Sequence, residues 1–154
     1  MSQCVIFQYV ILLHRLETES GAGLDSDNEH WDVMLEVEVD GQRQLDTWAI
    51  PPQINLLNNS DSKNSNCKLN FFSCPAKKLP YHRIDYLNYE GIISNNRGNV
   101  KRIDNGTYQK INEHKFKLSG KLFNGELTII NSKNESGNSC EIIFTPAITR
   151  NNNV

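Results

Sequence analysis

The segment His30-Trp31-Asp32-Val33-Met34-Leu35-Glu36 constrains the fold of this chain more than any other. Trp31, Val33, Leu35, Val37 and Val39 alternate with His30, Asp32, Met34, Glu36 and Glu38. That period of two predicts a strand with one face in a core. The other face opens with an imidazole and a carboxylate two residues apart, so both project from the same side of the sheet. Both residue types bind divalent metals. A polar face is also what a half-exposed strand needs, so the pair points to a site only if other residues converge on it.

A chain of 154 residues suits one domain with a substantial core. We assign residues 1–148 to that domain and 149–154, an Asn-rich end, to a disordered tail. The four cysteines, Cys4, Cys67, Cys74 and Cys140, form no C-x-x-C pair and no zinc-knuckle spacing. They read as reduced thiols of a cytoplasmic protein. The apolar run from Cys4 to Leu13 is too short to cross a bilayer and lacks a signal-peptide cleavage pattern, so no membrane partner is expected. A net charge of −2 argues against nucleic-acid binding through bulk charge. The charges segregate, however. Residues 16–46 hold ten acids and one arginine, whereas 77–102 hold six basic residues against two acids. An acidic half suits a cation and a basic segment suits a phosphate, although surface charge also segregates by chance.

The turn chemistry predicts an all-β chain. Strands are expected at residues 4–13, 30–39, 43–50, 68–74, 98–103, 107–111, 115–119, 122–130 and 140–145. Asp40-Gly41 predicts a two-residue hairpin, and Asp104-Asn105-Gly106 predicts another. Loops are expected at 17–29, 57–66 and 131–139. Residues 80–91 have mixed periodicity and give no local assignment. With no helical stripe and many short strands, the expected fold is a small single-domain β-barrel of short antiparallel strands with long polar loops. Closure of the barrel removes exposed edges.

His14 ends the first expected strand, where a barrel rim would place it. With His30 and Asp32 it makes two imidazoles and a carboxylate, enough to grip one face of a metal. His82 and Tyr86, in a basic segment, are candidates to contact a phosphate, while Tyr86 and Tyr89 equally fit core aromatics with surface hydroxyls. His30, Asp32 and His82 would also fit the two-histidine, one-carboxylate iron site of oxygenases, a reading that leaves His14 unused. His114 reads as a solvated loop residue.

His14, then HWDVMLE, LDTWAIP, HRIDYLNYEG and RGNVKRIDNGTY occur in this order. Together, over roughly Phe7 to Phe144, they resemble the 3'-phosphoesterase domain of bacterial DNA ligase D, and more closely its small stand-alone relatives. The resemblance implies a β-barrel whose cleft binds a divalent metal, manganese first, with zinc or cobalt as alternatives. It implies removal of a 3'-ribonucleotide or 3'-phosphate from a DNA primer end during repair. The partners would be DNA 3' ends or primer-template, with repair ligase or polymerase proteins beyond them. His14, His30 and Asp32 match the family's metal ligands, and His82 and Tyr86 match residues that engage the scissile phosphate. Two positions depart from the pattern. Met34 stands where the ligase-linked enzymes have arginine, and Leu12 where they have glutamine. Met34 removes a bidentate phosphate partner, which Arg83, Lys77 or Arg15 would have to replace. The departures suit a non-enzymatic module that binds nucleic-acid ends or a repair partner. On sequence alone, Met34 projects into the same cleft as Asp32, and Met34→Arg is expected to raise phosphate release.

Overall fold

The structure, a computed structural model, describes residues 5–16, 29–53, 69–93, 97–131 and 139–148. The expected loops at 17–29, 57–66 and 131–139 lie mostly or wholly outside these residues, as does the expected tail. Among the described residues nine strands are present: β1 Phe7–Arg15, β2 Glu29–Val39, β3 Gln42–Ile50, β4 Phe72–Arg83, β5 Gly91–Ile92, β6 Asn99–Lys110, β7 Lys115–Gly120, β8 Asn124–Asn131 and β9 Ser139–Pro146. The neighbour order is β1-β2-β3-β4-β9-β8-β7-β6-β5, and β1 also pairs with β6. Eight antiparallel strands therefore close into a barrel, with β5 outside it on β6. Among the described residues the one helical element is a 3-10 turn at Ile84–Leu87, and none is a helix long and apolar enough to cross a membrane.

The alternation in β2 is used as its pattern predicts. Trp31, Val33 and Leu35 enter the barrel core with Tyr9, Ile11 and Leu13 of β1 and Phe72, Phe123 and Phe144 from the far wall. The β2–β3 hairpin closes at Val39↔Gln42. Asp40 has φ 51° and Gly41 φ 79°, the paired positive values of a type I′ turn.

The second expected hairpin does not form. Asp104-Asn105-Gly106 lies inside β6, a single strand that pairs with β1 from Phe7↔Tyr108 to Arg15↔Asn99. One irregularity interrupts it, at Ile103, opposite the step from Ile11 to Leu12. This bulge flips the alternation, so that Val100 joins an outer apolar cluster while Asp104 turns inward. The inward carboxylate accepts hydrogen bonds from Tyr9 Oη at 2.7 Å and Phe123 N at 2.9 Å. Gly106 serves close packing, since a Cβ there would lie 2.3 Å from the Ser119 carbonyl oxygen. The tertiary demand of an anchored buried acid outweighs the local turn signal.

The expected strand at 68–74 also needs correction. β4 begins at Phe72 and continues through Pro75 and Pro80 to Arg83. Pro80 falls where the pairing slips, between Leu45↔His82 and Thr47↔Leu79, a bulge where its missing N–H does no harm.

The wall formed by β1, β2 and β3 is covered on its outer face as well. Val10, Leu12, Met34, Leu45 and Val100 form a second buried cluster with Leu87 and Ile93, and Ile84 and Tyr86 pack against it. The segment from the 3-10 turn to β5 is thus held on the barrel as a cap. Met34, 1% exposed, and Leu12, fully buried, seat this cap. Met34 does share a strand face with His30 and Asp32, but its side chain is not in the cleft.

Candidate metal centre

His14 is the penultimate residue of β1 and His30 the second residue of β2, and the two strands pair them directly. Asp32 follows on the same outer face, flanked by Leu12 and Ala49. Strand pairing alone therefore brings the three residues together at one end of the wall. His14 Nδ1 lies 3.2 Å from His30 Nε2 and 3.5 Å from Asp32 Oδ2, and His30 Nε2 lies 3.0 Å from Asp32 Oδ1. Ligand atoms about 2.1 Å from a common ion stand roughly 3.0–3.4 Å apart at octahedral to tetrahedral angles. The three donors already have nearly that spacing. They are the group of His, Cys, Asp and Glu side chains with metal-ligand spacing among the described residues.

Two further observations fit a metal. His14 Nε2 lies 2.7 Å from the Arg97 carbonyl oxygen. A carbonyl only accepts, so Nε2 carries the hydrogen and neutral His14 turns its Nδ1 lone pair to the cluster. Asp32 Oδ1 is buried with no hydrogen-bond donor in line despite the short His30 contact. A buried carboxylate oxygen in that condition suits a cation.

Burial opposes ionisation of Asp32, but His14 and His30 outweigh it and hold the carboxyl below the ordinary carboxylate range. The hydrogen bond to Asp32 raises the His14 imidazole above its ordinary value, against the burial that would lower it. Without metal, the His14 contribution to stability is complete below 6.5 and is lost as pH rises through the raised folded value. The Asp32 contribution is complete above 3.8 and is lost as pH falls through its lowered value. A metal ion and the His14 proton compete for Nδ1, so metal binding has the opposite trend. Below the His14 pKa, manganese affinity should fall by about tenfold per pH unit. Manganese-induced thermal shifts measured across a pH series check this, and a shift of constant size would place the ion elsewhere.

The cluster opens into a groove of about 680 Å³, where β3 ends at Pro51-Pro52. Pro75, Lys77, Leu79 and His82 of β4 line its far side. Among the described residues Lys77 is the one lysine or arginine that lines the groove, and Glu29 lines it as well. His82 Nδ1 lies 3.0 Å from the Pro80 carbonyl oxygen, to which it donates, leaving Nε2 available. His82 is outside the ligand cluster, so the iron reading built on it loses its third ligand.

Tyr86 is not in this groove. It lines a neighbouring depression with Arg83 and touches the groove through a ring contact with His82 at 5.7 Å. Arg15 is ion-paired with Glu29 at 2.8 Å and does not line the groove. His114 is exposed in the turn before β7, as expected. Cys74 and Cys140 are free and buried, and burial pushes the Cys74 thiol up to about 11. Cys4 and Cys67 lie outside the described residues.

The Arg97 carbonyl leaves little trace in the sequence, because its role depends on a backbone atom 83 residues from His14. Gly98 is the visible trace. It has φ +89°, and a Cβ there would lie 1.8 Å from the Arg15 carbonyl oxygen. Glycine lets the chain reach β1 closely enough to set Arg97 against His14. No protein-family model matches the chain, and no curated protein matches its sequence.

Proposed function

We propose that this chain is a divalent-metal-dependent phosphoesterase that removes a 3'-phosphate or 3'-ribonucleotide from DNA ends. The convergence of His14, His30 and Asp32 at ligand spacing, in a groove shared with His82 and Lys77, carries this reading. His14 Nδ1, His30 Nε2 and the Asp32 carboxylate would hold the ion. Bound there, manganese, or zinc or cobalt in its place, would supply Lewis acidity toward a phosphoryl oxygen and a water of lowered pKa.

The other roles belong to the chain itself. Arg97, through its carbonyl, keeps the His14 proton on Nε2 and so keeps Nδ1 a ligand. Lys77 offsets the charge of the phosphate as a mobile ammonium, where an arginine would have made a fixed fork. His82, oriented by Pro80 through Nδ1, presents Nε2, which in the imidazolium form of the ring would donate a proton to the departing oxygen and otherwise accepts a hydrogen bond. Tyr86 acts through the His82 ring as a positioning residue.

One observation favours a second reading, an inactive module of the same fold that binds DNA ends or a repair ligase or polymerase. Among the described residues no arginine lines the groove, and the two positions that depart from the ligase-linked pattern are sealed under the cap. Turnover separates the two readings. The phosphoesterase reading expects phosphate release from a 3'-phosphorylated primer with manganese and none with a chelator. Absence of release from any 3'-blocked primer with manganese, zinc or cobalt would leave the binding module.

A further inference from the structure

The depression beside the groove has a volume of about 260 Å³ and is lined by Arg83, Tyr86, Tyr89, Ile92 and Arg97, with Asp85. Two contacts join its lining to that of the groove that holds the candidate metal centre. Tyr86 contacts the His82 ring, and Arg97, which lines the depression, meets His14 through its carbonyl. Its chemistry differs from that of the groove, with guanidinium groups and aromatic faces in place of imidazoles and a carboxylate.

We propose that this depression is a nucleotide subsite for the strand whose 3' end enters the groove. This rests on the phosphoesterase reading and extends it to the substrate beyond the reacting phosphate. Arg15, Arg43 and Arg102 are committed to Glu29, Glu36 and Glu90. Arg83 makes no ion pair or side-chain hydrogen bond among the described residues, and the Tyr86 hydroxyl makes no hydrogen bond among them. A guanidinium and a hydroxyl remain for a backbone phosphate. Tyr89 is 41% exposed, and its ring is held twice, by its hydroxyl donating to the Ile92 carbonyl and by an edge contact with Tyr86 at 6.0 Å. A fixed, exposed ring beside Ile92, itself 74% exposed, is a preformed surface for a base. Asp85 can accept from an exocyclic amine. The basic 77–102 segment thus has a location, and an overall charge of −2 is no obstacle.

The test is fluorescence anisotropy with a short single-stranded 3'-phosphorylated oligodeoxynucleotide, in chelator so that no metal contributes. Tyr89→Ala should weaken binding by about tenfold, as loss of one stacking platform does. Tyr89→Phe, which keeps the ring, should stay within about twofold. Arg83→Gln should reduce the steepness of the log affinity–log salt plot by about 0.7, one phosphate contact on a single strand. Each variant's manganese-induced thermal shift reports that the barrel and metal cluster are intact. Wild-type affinity and salt slope in Tyr89→Ala and Arg83→Gln would overturn the subsite, even if the wild type hydrolyses 3' ends. Conversely, losses of the stated size in a protein that hydrolyses nothing would uphold the subsite and remove the phosphoesterase reading.

Discussion

Asp32→Asn should abolish metal-dependent hydrolysis while leaving the barrel folded. Asparagine keeps the shape of the side chain between Leu12 and Ala49 but loses the negative charge that draws both the cation and the imidazoles. Changes one shell outside a metal cost about 10–100-fold. Removing the sole carboxylate of a three-donor set should cost more, on the order of 10³-fold in phosphate release. Circular dichroism should change little, because Asp32 makes its side-chain contacts to the two imidazoles and not to the barrel core. Activity in Asp32→Asn within a fewfold of wild type would mean that the ion is held by other residues.

Met34→Arg should destabilise the protein by about 3–5 kcal/mol, the scale for an uncompensated buried charge. The expectation from the sequence concerned activity, a gain in phosphate release from a clamp projecting into the cleft. The structure takes away its premise, because Met34 is 1% exposed among Val10, Leu12, Leu45, Leu87, Ile93 and Val100. A guanidinium there either enters an apolar cluster or lifts the cap that carries Tyr86 and Tyr89. Met34→Leu, which keeps volume and polarity, should cost less than about 1.5 kcal/mol. Chemical denaturation of the three proteins gives the comparison. A Met34→Arg protein as stable as wild type would mean that the cap is loosely held and the position is open to the groove after all.

The contrast between Asp32 and Met34 marks how far the sequence could be read. The alternation of β2 fixed the face of each residue correctly, and strand-end placement of His14 was enough to bring it to His30. What lay over that face was not legible. The cap comes from residues 84–93, whose mixed periodicity reflects side chains divided among the second cluster, the depression and solvent. Asp40-Gly41 made its hairpin because nothing competed with it, whereas Asp104-Asn105-Gly106 was overruled by the pairing with β1 and by the hydrogen bonds to its carboxylate. Lys77 was visible only as one cation among six in the basic segment. Its position in the groove follows from the register of β4 against β3, Ala49↔Lys77. The roles of Pro80 and Arg97 run through backbone carbonyls, which no residue type announces.

Every role in the proposed hydrolysis depends on His14, His30 and Asp32 forming one divalent-metal site. Calorimetric titration of manganese into wild type and His30→Ala is the decisive measurement. Wild type should bind one ion per chain and release a proton as the ion displaces it from His14 below that group's raised pKa, and affinity should fall at least about 100-fold in His30→Ala, whose circular dichroism stays native. Equal affinity and stoichiometry in the two proteins would contradict that site.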